Sequence, residues 1–185
     1  MTPSSRSVTT APGGEGGPYA PLPMFATDAA IARGAEPNLL WWQDLDTLRA
    51  LPADEIGAHI AAQIAPHVAG RDPANTLLVG KSLGTSGATV AADNNLPAVW
   101  LTPLLTHQWV IDGLRRSTAP FLLVGGTADP FWDSALAHEL SPHVLEIANA
   151  DHGMYVPGRL AASTAVLGQV ATAVEDFLDQ VVWPA

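Results

Sequence analysis

Apolar positions along this chain follow two rhythms in turn. Short unbroken apolar runs predict buried strands, and i, i+4 series predict amphipathic helices. The spacing predicts strands over Arg6 to Thr10, Asn38 to Trp42, Thr76 to Val79, Ala98 to Leu101, Pro120 to Val124 and His143 to Ile147. Between and after them it predicts helices over Pro21 to Arg33, Ala53 to Ala69, Leu83 to Ala92, His107 to Arg116, Phe131 to Leu140 and Arg159 to Val182. The clearest periodicities are Ile56, Ile60, Ile64, Val68 in the second helix and Val166, Val170, Val174, Leu178 in the last. Gly34 is a natural stop for the first helix, and the Gly- and Pro-rich stretch from Ala11 to Pro18 is a loop by composition.

Strand and helix alternate without exception. Short apolar strands separated by helices imply a parallel sheet buried on both faces. The expected fold is therefore α/β: a three-layer sandwich with about six strands, mainly parallel, and helices on both sides. A chain of 185 residues suits one domain, expected over 6–185 after a disordered tail at 1–5. No internal repeat interrupts it.

Composition narrows the partners. The formal net charge is −10, which disfavours nucleic acid and anionic membranes. The chain has no cysteine, which excludes thiol catalysis, disulfides and cysteine-bound zinc. The first ten residues lack the apolar core of a signal peptide, and no apolar run is long enough to span a bilayer. A cytoplasmic protein, without nucleic-acid or membrane partners, is the expectation.

The chemistry starts at Gly80-Lys81-Ser82-Leu83-Gly84, a G-x-S-x-G pattern directly after a predicted strand and before a predicted helix. In that context the pattern describes a sharp turn that exposes a serine nucleophile. A phosphate-binding loop is the other reading of Gly80-Lys81-Ser82, but it needs glycine at position 75, which is Asn75.

Sites in parallel α/β sheets form at the carboxyl ends of the strands. Two later strand ends carry the residues a serine nucleophile requires. Gly125-Gly126-Thr127-Ala128-Asp129-Pro130 follows one, and Ala148-Asn149-Ala150-Asp151-His152-Gly153-Met154 follows the other. Ser82, Asp129 and His152 thus stand in the chain order expected for this type of elbow. An imidazole takes the serine proton as attack proceeds, and a carboxylate fixes its tautomer. Asp133 competes with Asp129 for the acid position, its other role being a charge at the start of the next helix. The N–H of Leu83 is the expected first donor to an oxyanion. Gly14, in the loop after the first strand, is the expected second, with Glu15 as the near alternative.

On GKSLG at 80–84, GGTADP at 125–130, ADHGM at 150–154 and the Gly-rich loop at 11–17, the chain resembles the α/β-hydrolase superfamily. Within it, the chain is similar to the small, capless, dienelactone-hydrolase-like branch, and the resemblance runs from about residue 6 onward. It implies a nucleophile, acid and base at Ser82, Asp129 and His152. Two departures stand out. The N-terminal antiparallel strands of the usual eight-stranded sheet are missing, and the stretch 103–119 leaves no room for a cap domain. The oxyanion loop has Pro12-Gly13 where the family commonly has His-Gly.

Other residues have two readings each. Tyr19, Trp109, Phe131, Trp132 and Met154 lie near predicted strand ends, where they line a substrate pocket or fill ordinary core. Lys81 sits at the rim of the site or on a solvated surface. His59, His67, His107, His138 and His143 read as structural or surface residues away from the site, and His138 with Glu139 and His143 makes no convincing metal set. The expected function is a serine hydrolase of small esters or thioesters, acting through an acyl-enzyme on Ser82 without cofactor or metal. An acyltransferase or cyclase shares that first half-reaction. A non-catalytic binding protein on the same fold is the third possibility.

Overall fold

The computed structural model describes residues 5–15 and 17–184. The tail expected at 1–5 lies, apart from Ser5, outside them. Six strands form one sheet in the order β2-β1-β3-β4-β5-β6, and every neighbouring pair is parallel. They are β1 (Ser7–Ala11), β2 (Glu36–Leu39), β3 (Thr76–Lys81), β4 (Ala98–Leu101), β5 (Phe121–Gly126) and β6 (His143–Ile147). The chain steps outward from β1 to β2, then returns to place β3 on the other side of β1. That reversal opens a crevice above the carboxyl ends of β1 and β3, the usual place for a ligand in such sheets.

Alternating side chains divide the interior into two cores. Val8, Leu77, Val79, Val99, Leu101, Leu122 and Val124 face α1 (Pro21–Ile31) and α7 (Leu160–Phe177). Leu78, Trp100 and Leu123 face the opposite layer. That layer holds α3 (Ala53–Val68), α4 (Ala88–Asn94), α5 (Gln108–Arg116) and α6 (Ser134–Leu140). The predicted periodic series point inward: Ile60, Ile64, Val166, Val170, Val174 and Leu178 are all buried. Arg33, past the end of α1, clips the α1–α7 layer together through Asp179, just past the end of α7, at 2.6 Å.

Three local differences from the sequence pattern have physical causes. After β3 the chain forms a tight 3₁₀ turn over Ser82–Gly87 before α4 begins. Gly84, Thr85, Ser86 and Gly87 are weak α-formers, and the Thr85 hydroxyl donates to the Ser82 carbonyl at 2.6 Å. The α6 helix starts at Ser134, not Phe131, because the Asp133 side chain caps it by accepting the Leu136 N–H at 2.9 Å. A short helix that the periodicity did not predict, α2 (Leu45–Arg49), lies between β2 and α3. No cap domain is present among the described residues: α5 alone links β4 to β5. No helix there is long and apolar enough to cross a membrane.

Candidate active site

The elbow is a consequence of two glycines and one strained serine. Ser82 has φ +50°, a left-handed conformation that costs an L-residue about 1–2 kcal/mol. A Cβ on Gly80 would stand 2.6 Å from the Trp100 ring and 2.7 Å from the Gly84 carbonyl oxygen. A Cβ on Gly84 would collide with the Ala11 carbonyl. At Gly84 the obstacle is backbone, so nothing flexible can yield. Gly84→Ala is therefore expected to lower unfolding free energy by about 1–3 kcal/mol in urea denaturation.

Three strand ends converge on this turn. Ser82 follows β3, Asp129 follows β5, and His152 follows β6. His152 Nδ1 lies 2.8 Å from Asp129 Oδ2, and His152 Nε2 lies 2.7 Å from Ser82 Oγ. An ionised carboxylate only accepts, so Nδ1 carries the proton and donates it to Asp129. Nε2 is then the acceptor for the serine hydroxyl. The Asp129 side chain has no exposed surface, and its other oxygen accepts the Phe131 N–H at 2.9 Å. His152, the middle member, keeps 27% of its side chain exposed, so solvent reaches the imidazole but not the carboxylate behind it. Asp151 points away, accepting the N–H groups of Gly153 and Tyr155.

The Gly-rich loop stands across from the elbow. Gly14, Ser82 and Leu83 line one cavity of about 250 Å³, walled by Leu45 and Leu48 of α2 and by Phe131. Glu15 lies instead on a second cavity of about 360 Å³. Trp42 anchors this loop by donating its indole N–H to the Gly13 carbonyl at 3.1 Å. A helical turn leaves its first N–H groups without internal acceptors, and Leu83 is in that position.

The aromatic candidates separate. Phe131 lines the Ser82 cavity, with its ring 5.0 Å from His152. Met154 is buried beside the second cavity. Trp132 lies over Gly125 and donates to Glu146, and Trp109 packs on Gly57 and donates to Ser86. Neither reaches a cavity beside Ser82. Tyr19 is 63% exposed and tilts against Trp41. His107 differs from its sequence reading: it lines the Ser82 cavity, edge-on to Trp109 at 4.5 Å. Burial pushes its pKa down, which favours a neutral ring. Its place just before α5, after the β4 strand end, was the available signal.

Lys81 is the rim residue of the two readings offered for it. It is mostly buried, and desolvation drives its pKa down against the opposing pull of Asp129, Glu15 and Asp151. The folded state thus holds this proton less well than the unfolded chain. Its charge costs stability at neutral pH, and the cost vanishes above the unfolded pKa. Lys81→Met is expected to raise the Tm at pH 7. The gain should shrink as pH climbs toward the ordinary lysine value of about 10.4, a trend that thermal scans across pH would follow. No group of three or more His, Asp or Glu among the described residues could hold a metal ion.

No protein-family model and no curated protein matches this sequence. Solved structures do match in three dimensions. One is a protein from Xanthomonas campestris described as a putative hydrolase of the alpha/beta superfamily, at TM-score 0.69 and 20% identity. The alignment covers 95% of this chain and 99% of that one. The chain has the α/β-hydrolase fold. Dienelactone hydrolase from Anabaena variabilis shares this fold at TM-score 0.68 and 18% identity, over 98% of this chain and 88% of that one. Est1E from Butyrivibrio proteoclasticus, solved with ferulic acid bound, aligns at TM-score 0.66 and 13% identity, over 98% and 91%. In α/β-hydrolase terms, the sheet here is the parallel core without the N-terminal antiparallel strands, with α2 over the serine where a cap is absent.

Proposed function

We propose that this chain is a serine hydrolase of small esters or thioesters. The observation that supports it best is the unbroken relay from Asp129 through His152 to Ser82, with both links shorter than 3 Å. Ser82 Oγ attacks the substrate carbonyl while His152 Nε2 takes its proton. Asp129 holds the tautomer and steadies the imidazolium. The N–H groups of Leu83 and Gly14 receive the oxyanion. His152 then protonates the leaving alcohol or thiol, and water repeats the sequence on the acyl-enzyme. The chemistry needs neither metal nor cofactor, and the substrate is a small molecule.

A fluorophosphonate probe tests this reading, because it captures a serine only when a neighbouring base activates it. Wild type should label and Ser82→Ala should not. Wild type that stays unlabelled would overturn the proposal, and labelling of Ser82→Ala would move the nucleophile elsewhere.

A further inference from the structure

Ser82 lines one of two neighbouring cavities, and the residue before it, Lys81, lines the other. The 250 Å³ cavity is apolar around Leu45, Leu48, Leu83 and Phe131. The 360 Å³ cavity lies on the opposite side of the Gly13–Glu15 loop, against α1 and α7. Its walls are mainly Leu22, Met154, Leu160 and Leu167, and Lys81 is its cation. Lys81 is also the only lysine in the chain.

The ammonium is close to the reacting centre. A Cβ on Gly13 would stand 3.0 Å from Lys81 Cδ, and 3.6 Å from both Lys81 Nζ and Ser82 Cβ. Gly13 therefore leaves the gap through which this side chain passes beside the serine. The charged groups that act on it are Glu15 from the β1–α1 loop, Asp129 after β5, and Asp151 after β6. Among the described residues, no hydrogen bond or ion pair joins Lys81 Nζ to Asp129 or Asp151. Asp129 is engaged by His152 and the Phe131 N–H, and Asp151 by two backbone N–H groups. A mostly buried ammonium in a largely apolar cavity, pulled at longer range by Asp129 and Asp151 carboxylates already committed to other donors, is costly to keep. An anion on the substrate would complete it.

We infer that the enzyme's preferred substrate is a half-ester or half-thioester of a short dicarboxylic acid, with its free carboxylate on Lys81. The inference rests on the hydrolase reading above. It also sets the direction of binding. The acyl part extends into the Lys81 cavity, and the apolar alcohol lies in the Leu45–Leu48–Phe131 cavity, beside the His152 ring that must protonate it.

Release of hexanol from monohexyl succinate and from its neutral counterpart hexyl pentanoate tests the idea. The wild-type kcat/KM should favour the half-ester by about tenfold or more, the scale of one charge-assisted hydrogen bond. Lys81→Met should collapse that ratio, and Lys81→Arg should restore it. Equal wild-type rates on the two esters would overturn the inference, as would an equal loss on both in Lys81→Met. Calorimetry on Ser82→Ala separates binding from chemistry. That variant should bind monohexyl succinate about tenfold tighter than the Ser82→Ala, Lys81→Met double variant does. If wild type turns over neither ester and takes no fluorophosphonate, the hydrolase reading fails. The calorimetric comparison still decides whether the anion site exists.

Discussion

Ser82→Ala and His152→Ala are each expected to lower kcat by roughly 10⁶-fold, and the double variant by no more than either alone. The expectation follows from how the two groups depend on each other. In the proposed mechanism Ser82 Oγ is a nucleophile only while His152 Nε2, 2.7 Å away, can take its proton. Without the base, the hydroxyl attacks as slowly as a free alcohol. Without the hydroxyl, the base has nothing to activate. Steady-state assays on a small activated ester would measure the three rates, and near-unchanged thermal unfolding would show that the scaffold survives. If the double variant lost the two single losses multiplied together, the groups would be acting independently and the relay would not be the working unit. What rate remains reports the oxyanion donors and substrate binding, which neither variant touches.

Much of this arrangement was legible because the fold reduces it to strand order. β3, β5 and β6 each read as an apolar run, and each is followed at its carboxyl end by one polar residue of the relay. Once the sheet is parallel, Ser82, Asp129 and His152 must share one edge of it. The sheet itself was legible because Leu77, Leu78 and Val79 are buried on both faces, which leaves no polar alternation to confuse with a solvated strand. Other features were hidden for reasons equally physical. Leu45 and Leu48 belong to a helix of five residues, too short to show a period, yet they wall the serine cavity. Trp42 gave no sign that its indole would hold the Gly13 carbonyl, since the partners lie on different loops and meet only in three dimensions. His107 was read as peripheral because nothing in its neighbours reveals that the β4–α5 loop folds back over Phe131. The Leu105 N–H donates to the Phe131 carbonyl at 3.0 Å and fixes that return. Lys81 was ambiguous for a further reason. Alternation along β3 gives the side chain a direction, but only Gly13 shows that there is space for it beside Ser82.

The choice between two aspartates yields the second large effect. Asp129→Asn should lower kcat by roughly 10⁴-fold, whereas Asp133→Asn should leave it within a small factor of wild type. The difference is one of partners. Asp129 places one oxygen on His152 Nδ1 and the other on the Phe131 N–H, with no side-chain surface exposed. An amide of the same shape fits that site, but its NH₂ end cannot accept. If its oxygen turns to the Phe131 N–H, its nitrogen faces Nδ1 as a donor. The ring then places its proton on Nε2, the wrong nitrogen to accept from Ser82. If the amide turns the other way, the Phe131 N–H loses its acceptor and the loop that carries Phe131 loosens. Either way the relay is mis-set while the volume is unchanged. The Asp133 side chain is exposed and accepts the Leu136 N–H at the start of α6. Asparagine caps helices about as well as aspartate, so its loss of charge should barely register in stability or rate. Measuring kcat for both variants beside wild type decides the assignment. A larger loss in Asp133→Asn than in Asp129→Asn would mean that the acid of the relay is not the residue that the 2.8 Å contact identifies.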